Sequence, residues 1–171
     1  MNSSGKMNIR EAQLSDLNQL TDILNQAIKW GKATAIRETF KPDERVEWFE
    51  NHNTNLYKIF VAENEERITA YLSIGPYRKG RQAFRHTAEV SYFVGSDFYR
   101  KGIASHLMEV AFQHCRQNKI RNLIAFLMAH NHSSISFTEK MGFELWGLFP
   151  KTLTIAGEEF DHAVYGKRII G

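Results

Sequence analysis

The chain has 171 residues, enough for one globular domain with a sizeable core. Its 22 basic and 19 acidic residues leave a net charge of +3, too weak a field to point to nucleic acid, and no apolar run approaches the roughly 20 residues of a membrane span. The lone cysteine, Cys115, excludes an internal disulfide; with no apolar signal core at the N-terminus, the expected location is cytoplasmic.

The polar lead 1–7 reads as a tag remnant or a disordered segment, and 8–171 as a single domain without linker or repeat. A short strand is predicted over 8–12. Leu14, Leu17, Leu20, Ile23, Leu24 and Ile28 recur at helical spacing and predict a helix over 15–30, with Ser15 as N-cap and Gly31 as stop. A loop over 33–40 leads to a second helix beginning near Pro42, whose ring suits a first turn. Strands over 57–63 and 68–76 form a hairpin, and a long strand covers 84–94. Ile103, Leu107, Val110 and Ala111 mark the apolar face of a helix over 101–117. The nearly continuous apolar run 122–128 predicts a central strand. A helix over 133–141 stops at Gly142, and strands over 143–154 and 162–168 close the chain through Ala156-Gly157. The fold class is therefore mixed α/β, with antiparallel hairpins first and a βαβ crossover in the second half.

Two features carry chemistry. A strand stops at Val94, and after a polar turn Arg100-Lys101-Gly102-Ile103-Ala104 opens a helix. The unpaired N–H groups of a helix start suit an anion, above all a pyrophosphate, and Gly102 and Ala104 keep side chains out of its way. On the preceding strand, alternation places Ala88, Val90 and Tyr92 on one face and Thr87, Glu89, Ser91 and Phe93 on the other. A carboxylate facing a cleft can have a raised pKa and serve as a base; a carboxylate in solvent or paired with arginine is the plainer reading of Glu89. Arg78, Lys79, Arg81, Arg85 and His86 form a basic stretch that suits an acceptor bearing a carboxylate or phosphinate, or a solvated hairpin loop. His130 and His132 have no supporting cysteine or acid cluster, so no metal is expected. Cys115 reads as a packed small side chain.

The element order, the Arg100–Ala104 turn, and Asn131-His132-Ser133-Ser134-Ile135 with Glu139-Lys140-Met141-Gly142-Phe143 together resemble the GCN5-related N-acetyltransferases (GNAT superfamily). Thr87 to Val94, Trp146 to Pro150, Ala33-Thr34-Ala35 and Trp48 to His52 resemble the phosphinothricin N-acetyltransferase-like branch. The match spans residues 8–168. The family's cofactor motif begins with Gln or Arg; Tyr99 stands there, while Gly102 and Ala104 match the small residues that follow.

This resemblance implies a mostly antiparallel twisted sheet of about seven strands, open between strands 4 and 5 and flanked by about four helices. It implies acetyl-CoA as co-substrate, with the main chain of Tyr92, Phe93 and Val94 pairing with the pantetheine arm and the N–H groups of Arg100, Lys101, Gly102, Ile103, Ala104 and Ser105 cradling the pyrophosphate. Asn131 would hydrogen-bond the arm, and Lys140 would be a further contact. Glu89 would be the base, the N–H of Phe93 or Val94 would meet the oxyanion, and Gln82, Ala83 and Phe84 would lie beside Glu89 at the acceptor site. Seven residues beyond Asn131, where the family carries Tyr or His, stands Thr138, a poor proton donor, so no dedicated side-chain acid is expected. The implied reaction is direct acetyl transfer, in a ternary complex, to the α-amine of a small amino-acid-like acceptor such as phosphinothricin or methionine sulfone or sulfoximine. Another amine (polyamine, antibiotic, protein N-terminus) or a CoA-binding module with little turnover remain the alternatives. The implied partner set is a small-molecule amine and a second copy of the chain as a homodimer, without nucleic acid or membrane.

Overall fold

The structure, a computed structural model, describes residues 7–170; of the predicted lead, 1–6 lie outside the described residues. Seven strands form one sheet in the order β1-β2-β3-β4-β5-β7-β6. They are β1 (Asn8–Glu11), β2 (Ile59–Asn64), β3 (Arg67–Pro76), β4 (Thr87–Val94), β5 (Asn122–Met128), β6 (Glu144–Ile155) and β7 (Glu158–Arg168). The helices are α1 (Leu17–Trp30), α2 (Val46–Asn51), α3 (Ile103–Gln117) and α4 (His132–Lys140). Every pairing is antiparallel except β4 with β5, the pair joined by the α3 crossover. The predicted order of elements is the one observed.

Period-2 alternation divides the core between the two faces. On β2, Phe60 and Ala62 join Leu107, Met108, Ala111 and Cys115 of α3. Ile59 and Val61 turn the other way, toward Leu17, Leu20 and Ile23 of α1 and Phe49 of α2. β3 is buried on both faces from Ile68 to Gly75, as is normal for a strand covered by helices on both sides. Cys115 is fully buried within this packing, and burial pushes its thiol up to about 12. No helix among the described residues is long and apolar enough to cross a membrane.

Three elements differ from their sequence reading. The strand predicted from residue 84 starts at Thr87, because Gln82–Phe84 coil into a 3-10 turn closed by the Arg85 N–H to the Gln82 carbonyl at 3.1 Å. The last strand starts at Glu158, four residues early. Its charged end lies outside the core and is held by main-chain pairing with β6 across a turn in which Ala156 and Gly157 both have positive φ. At the start of α1, the side chain that accepts a main-chain N–H is that of Asp16, from Gln13 at 2.7 Å, rather than that of Ser15. Arg10 on β1 fixes Asp16 at 2.7 Å and Glu63 at 2.9 Å, tying this turn to the sheet edge.

Candidate active site

The parallel pairing of β4 with β5 is short. It holds Thr87, Ala88 and Glu89 against Asn122, Leu123 and Ile124 and goes no further, whereas on its other side β4 stays paired with β3 as far as Val94. Beyond Glu89 the two strands part, and β4 presents a main-chain edge with no neighbouring strand among the described residues. This is the V-shaped opening that the resemblance implied.

At the wide end of the opening lies the start of α3. Arg100 and Gly102 both have positive φ, and Gly102 is the N-cap, its carbonyl accepting from the Ser105 N–H at 3.1 Å. The earlier N–H groups of the turn have no carbonyl one turn back to bond. A Cβ added at Gly102 would meet nothing within 4 Å, so the space in front of these donors is open. Arg100 and Lys101 are exposed beside it. The arrangement fits a pyrophosphate: clustered N–H groups, the positive end of a helix dipole, and no side chain in the way.

At the narrow end, a cavity of about 570 Å³ lies against the β4 face that carries Glu89, Ser91 and Phe93, the face predicted by alternation. Desolvation raises the pKa of Glu89, and among the described residues it has no ion-pair partner. The plainer reading of a carboxylate neutralised by arginine therefore does not describe it. Gly75 and His52 also line the cavity, and a Cβ at position 75 would collide with the His52 ring. His52 Nδ1 donates a hydrogen bond to the Trp48 carbonyl at 2.8 Å, and desolvation lowers the imidazole's pKa, favouring the neutral ring with Nε2 as acceptor.

Sequence reasoning missed a buried cation in the same cavity. Arg45 is only 5% exposed, its guanidinium lies 3.8 Å from the Trp48 ring centroid, and among the described residues its Nη1 has no hydrogen-bond partner and no carboxylate pairs with it. Tyr71, whose ring centroid lies 6.0 Å from the guanidinium carbon, is a polar neighbour but no counter-charge, since burial pushes its hydroxyl up to about 12. The available signal was the i, i+3 spacing of Arg45 and Trp48, masked by the neighbouring Asp43 and Glu44, which make the segment look like surface.

The remaining predicted residues fall into three places. Gln82 and Phe84 line a separate depression of about 330 Å³ with Arg78, Lys79, Arg81 and Arg85. Ala83 is exposed in the same turn. This depression meets the Glu89 cavity only at Pro76. Asn131 is the N-cap of α4: its Oδ1 accepts from the Ser134 N–H at 3.2 Å and its Nδ2 donates to Ser134 Oγ at 2.9 Å. Lys140 is exposed in the last turn of α4, about 13 Å along the helix from that cap. Thr138 is fully buried, with the Tyr92 hydroxyl 3.4 Å from its Oγ1. Among the described residues no three His, Cys, Asp or Glu side chains converge as a metal site would require, and His130 packs against Phe160.

An α/β sheet that opens beside a strand edge, with a helix start suited to an anion at one end and a desolvated carboxylate at the other, is the arrangement that the resemblance to the N-acetyltransferases implied. The Acetyltransferase (GNAT) family model matches residues 19–143, and the chain belongs to that family of N-acetyltransferases. It is 35% identical over 164 residues to YwnH of Bacillus subtilis (strain 168), named provisionally as a phosphinothricin acetyltransferase, across 95% of this chain and 99% of that one. It is 30% identical to the L-methionine sulfoximine/L-methionine sulfone acetyltransferase of Pseudomonas aeruginosa (PAO1), across 84% of this chain and 83% of that one. Among solved structures, the phosphinothricin acetyltransferase of Sinorhizobium meliloti in complex with acetyl-CoA superimposes with a TM-score of 0.88 at 27% identity, across 95% of this chain and 88% of that one.

Proposed function

We propose that this enzyme transfers the acetyl group of acetyl-CoA to the α-amine of a small amino-acid-like acceptor, directly and within a ternary complex. The observation that carries the reading is the presence, in one cavity, of a carboxylate (Glu89) and a buried guanidinium (Arg45), neither of which has an ion-pair partner among the described residues. An α-amino acid presents the complementary set: an ammonium that must lose a proton before attack, and a carboxylate that offsets a buried cation. The names of the two relatives and of the solved neighbour agree with this class. A polyamine fits less well, because a buried arginine repels it.

In this reading Glu89 takes the amine proton, and the nitrogen lone pair attacks the thioester carbonyl. The edge of β4 at Tyr92, Phe93 and Val94 pairs with the pantetheine arm, and an N–H of Phe93 or Val94 meets the developing oxyanion. The turn from Arg100 to Ser105 holds the pyrophosphate, Asn131 reaches the arm from the α4 cap, and Lys140 is an outer contact. Gln82, Ala83 and Phe84 form the rim beyond Pro76, where the basic stretch attracts an anionic acceptor. The test is thiol release with a panel of amino acids, their decarboxylated amines and polyamines. Turnover confined to acceptors that keep the carboxylate supports the reading; a preference for polyamines, or acetyl-CoA binding without release for any acceptor, overturns it.

We also propose that the chain acts as a cytoplasmic homodimer formed through β6, with neither nucleic acid nor membrane as partner. Leu145, Trp146, Leu148 and Phe149 on this outermost strand are each about half exposed, an apolar edge that a second copy could cover. The near-neutral charge supports the absence of nucleic acid. Sedimentation of the wild type and of Leu148→Glu reads the dimer: wild type at twice the chain mass and the variant at one chain mass are expected.

A further inference from the structure

We propose that Tyr92 of β4 is the hydrogen-bond donor to the leaving sulfur, in place of a side chain at position 138 of α4. This rests on the acetyl transfer proposed above, with the donor lying along β4.

Three observations carry it. Thr138 cannot meet a ligand, being fully buried, and its hydroxyl already donates to the Ser134 carbonyl at 2.7 Å. The half-buried Tyr92 crosses from β4 to the same turn of α4, its ring 4.9 Å from that of Phe137 and its hydroxyl 3.4 Å from both Thr138 Oγ1 and the Ser134 carbonyl. Both contacts are longer than a normal O–H···O bond, so the Tyr92 proton is weakly held and can turn toward a better acceptor. Finally, Tyr92 lies three residues beyond Glu89, where the opening has begun, and on the opposite face of β4. A base on one face and a sulfur donor on the other put attack and departure on opposite sides of the carbonyl.

The step balances as follows. Glu89 first passes the ammonium proton on to water; the nitrogen pair of the neutral amine then forms the C–N bond, and the proton in surplus after attack goes to the restored Glu89 carboxylate. The C–S bond breaks with its electron pair passing to sulfur, whose charge is met by the Tyr92 O–H. Burial pushes the Tyr92 hydroxyl up from its ordinary value. It therefore keeps its proton, and the thiolate takes its own from water. Hydrogen bonds to a charged acceptor are among the stronger ones in proteins.

The test uses the full chain with Tyr92→Phe, which keeps the ring packing and removes only the hydroxyl. The first readout needs no acceptor: the ultraviolet absorbance of CoA thiolate, titrated in the binary complex. Tyr92→Phe should raise the bound thiol's pKa by about one unit and lower kcat by about 10- to 100-fold, with affinity for CoA within about twofold. Thr138→Ala should move neither value by more than about twofold. An unmoved thiol pKa with unmoved kcat in Tyr92→Phe overturns the proposal, as does a Thr138→Ala effect equal to that of Tyr92→Phe. A wild type that binds no CoA fails the donor site itself, and this assignment with it; a wild type that binds CoA and shows the thiol shift, yet acetylates no amino acid, keeps Tyr92 and loses only the acceptor.

Discussion

The α3 start and the Glu89 cavity serve opposite ends of one strand, β4, and are built from different materials. At the α3 start the groups that face a ligand are main-chain N–H donors, and the side chains matter by being small: Gly102 leaves open space. In the cavity, Glu89 comes from β4, Arg45 from the turn before α2, and His52 from just after that helix. A site made of backbone suits a constant ligand, such as the pyrophosphate proposed above. A site made of side chains recognises whatever acceptor those side chains complement. The comparison therefore predicts that substitutions separate cleanly into those that affect the donor and those that affect the acceptor.

The largest separation is expected at Glu89. Glu89→Gln should cut kcat by about 10²- to 10⁴-fold while acetyl-CoA affinity, measured by calorimetry, stays within about twofold; a matching loss of affinity would erase the boundary between the two halves. The same group sets a pH dependence. Because desolvation raises its pKa, the ionised form of this proposed base is reached only at higher pH than for a solvated glutamate, and kcat/KM should climb across that interval. Stability runs the other way: a carboxyl with a raised folded-state pKa favours the fold below its unfolded value, and that contribution is lost as pH rises through the folded one. Glu89→Gln should thus melt higher than wild type at neutral pH and lose this advantage in acid.

Next in size is Arg45→Met, which keeps the apolar contact with Trp48 and removes the cation. KM for amino-acid acceptors should rise by about 10- to 100-fold and KM for a decarboxylated amine far less, with acetyl-CoA untouched. Equal losses for both acceptors would make Arg45 a packing residue. On the donor side, Gly102→Val should weaken acetyl-CoA binding by about tenfold, since positive φ disfavours a β-branched residue and its methyls would enter the open space. Acceptor KM should not change. The smallest effect belongs to Asn131→Ala, where loss of the α4 cap should cost about 1 kcal/mol and lower Tm by about 2–4 °C. A larger drop in acetyl-CoA affinity than in stability would show that Asn131 also reaches the pantetheine arm.

The donor half was legible in the chain because its signals are local. A strand ending at Val94, a polar turn and a glycine before an amphipathic helix lie within a dozen residues. Of the acceptor cavity only Glu89 was equally legible, set apart from Val90 by alternation along β4. The rest of the acceptor half was not. Arg45 sits in a run of acidic and basic residues that reads as a solvated helix start, and only the packing of α2 beneath the sheet buries it without a partner. The basic stretch suggested an anionic acceptor, but not that Gln82 and Phe84, with Arg78, Lys79, Arg81 and Arg85, line a depression that adjoins the Glu89 cavity at Pro76.

By itself the sequence determined the order of elements, the family, and the face of β4 that bears a carboxylate, because each depends on periodicity or on a contiguous motif. Tertiary structure alone decided where β4 and β5 part, that Arg45 shares a cavity with Glu89, and that the Tyr92 hydroxyl reaches the turn of Thr138, 46 residues away. Those facts depend on how strands twist apart and on which side chains burial leaves without partners, and neither is written in any short stretch of the chain.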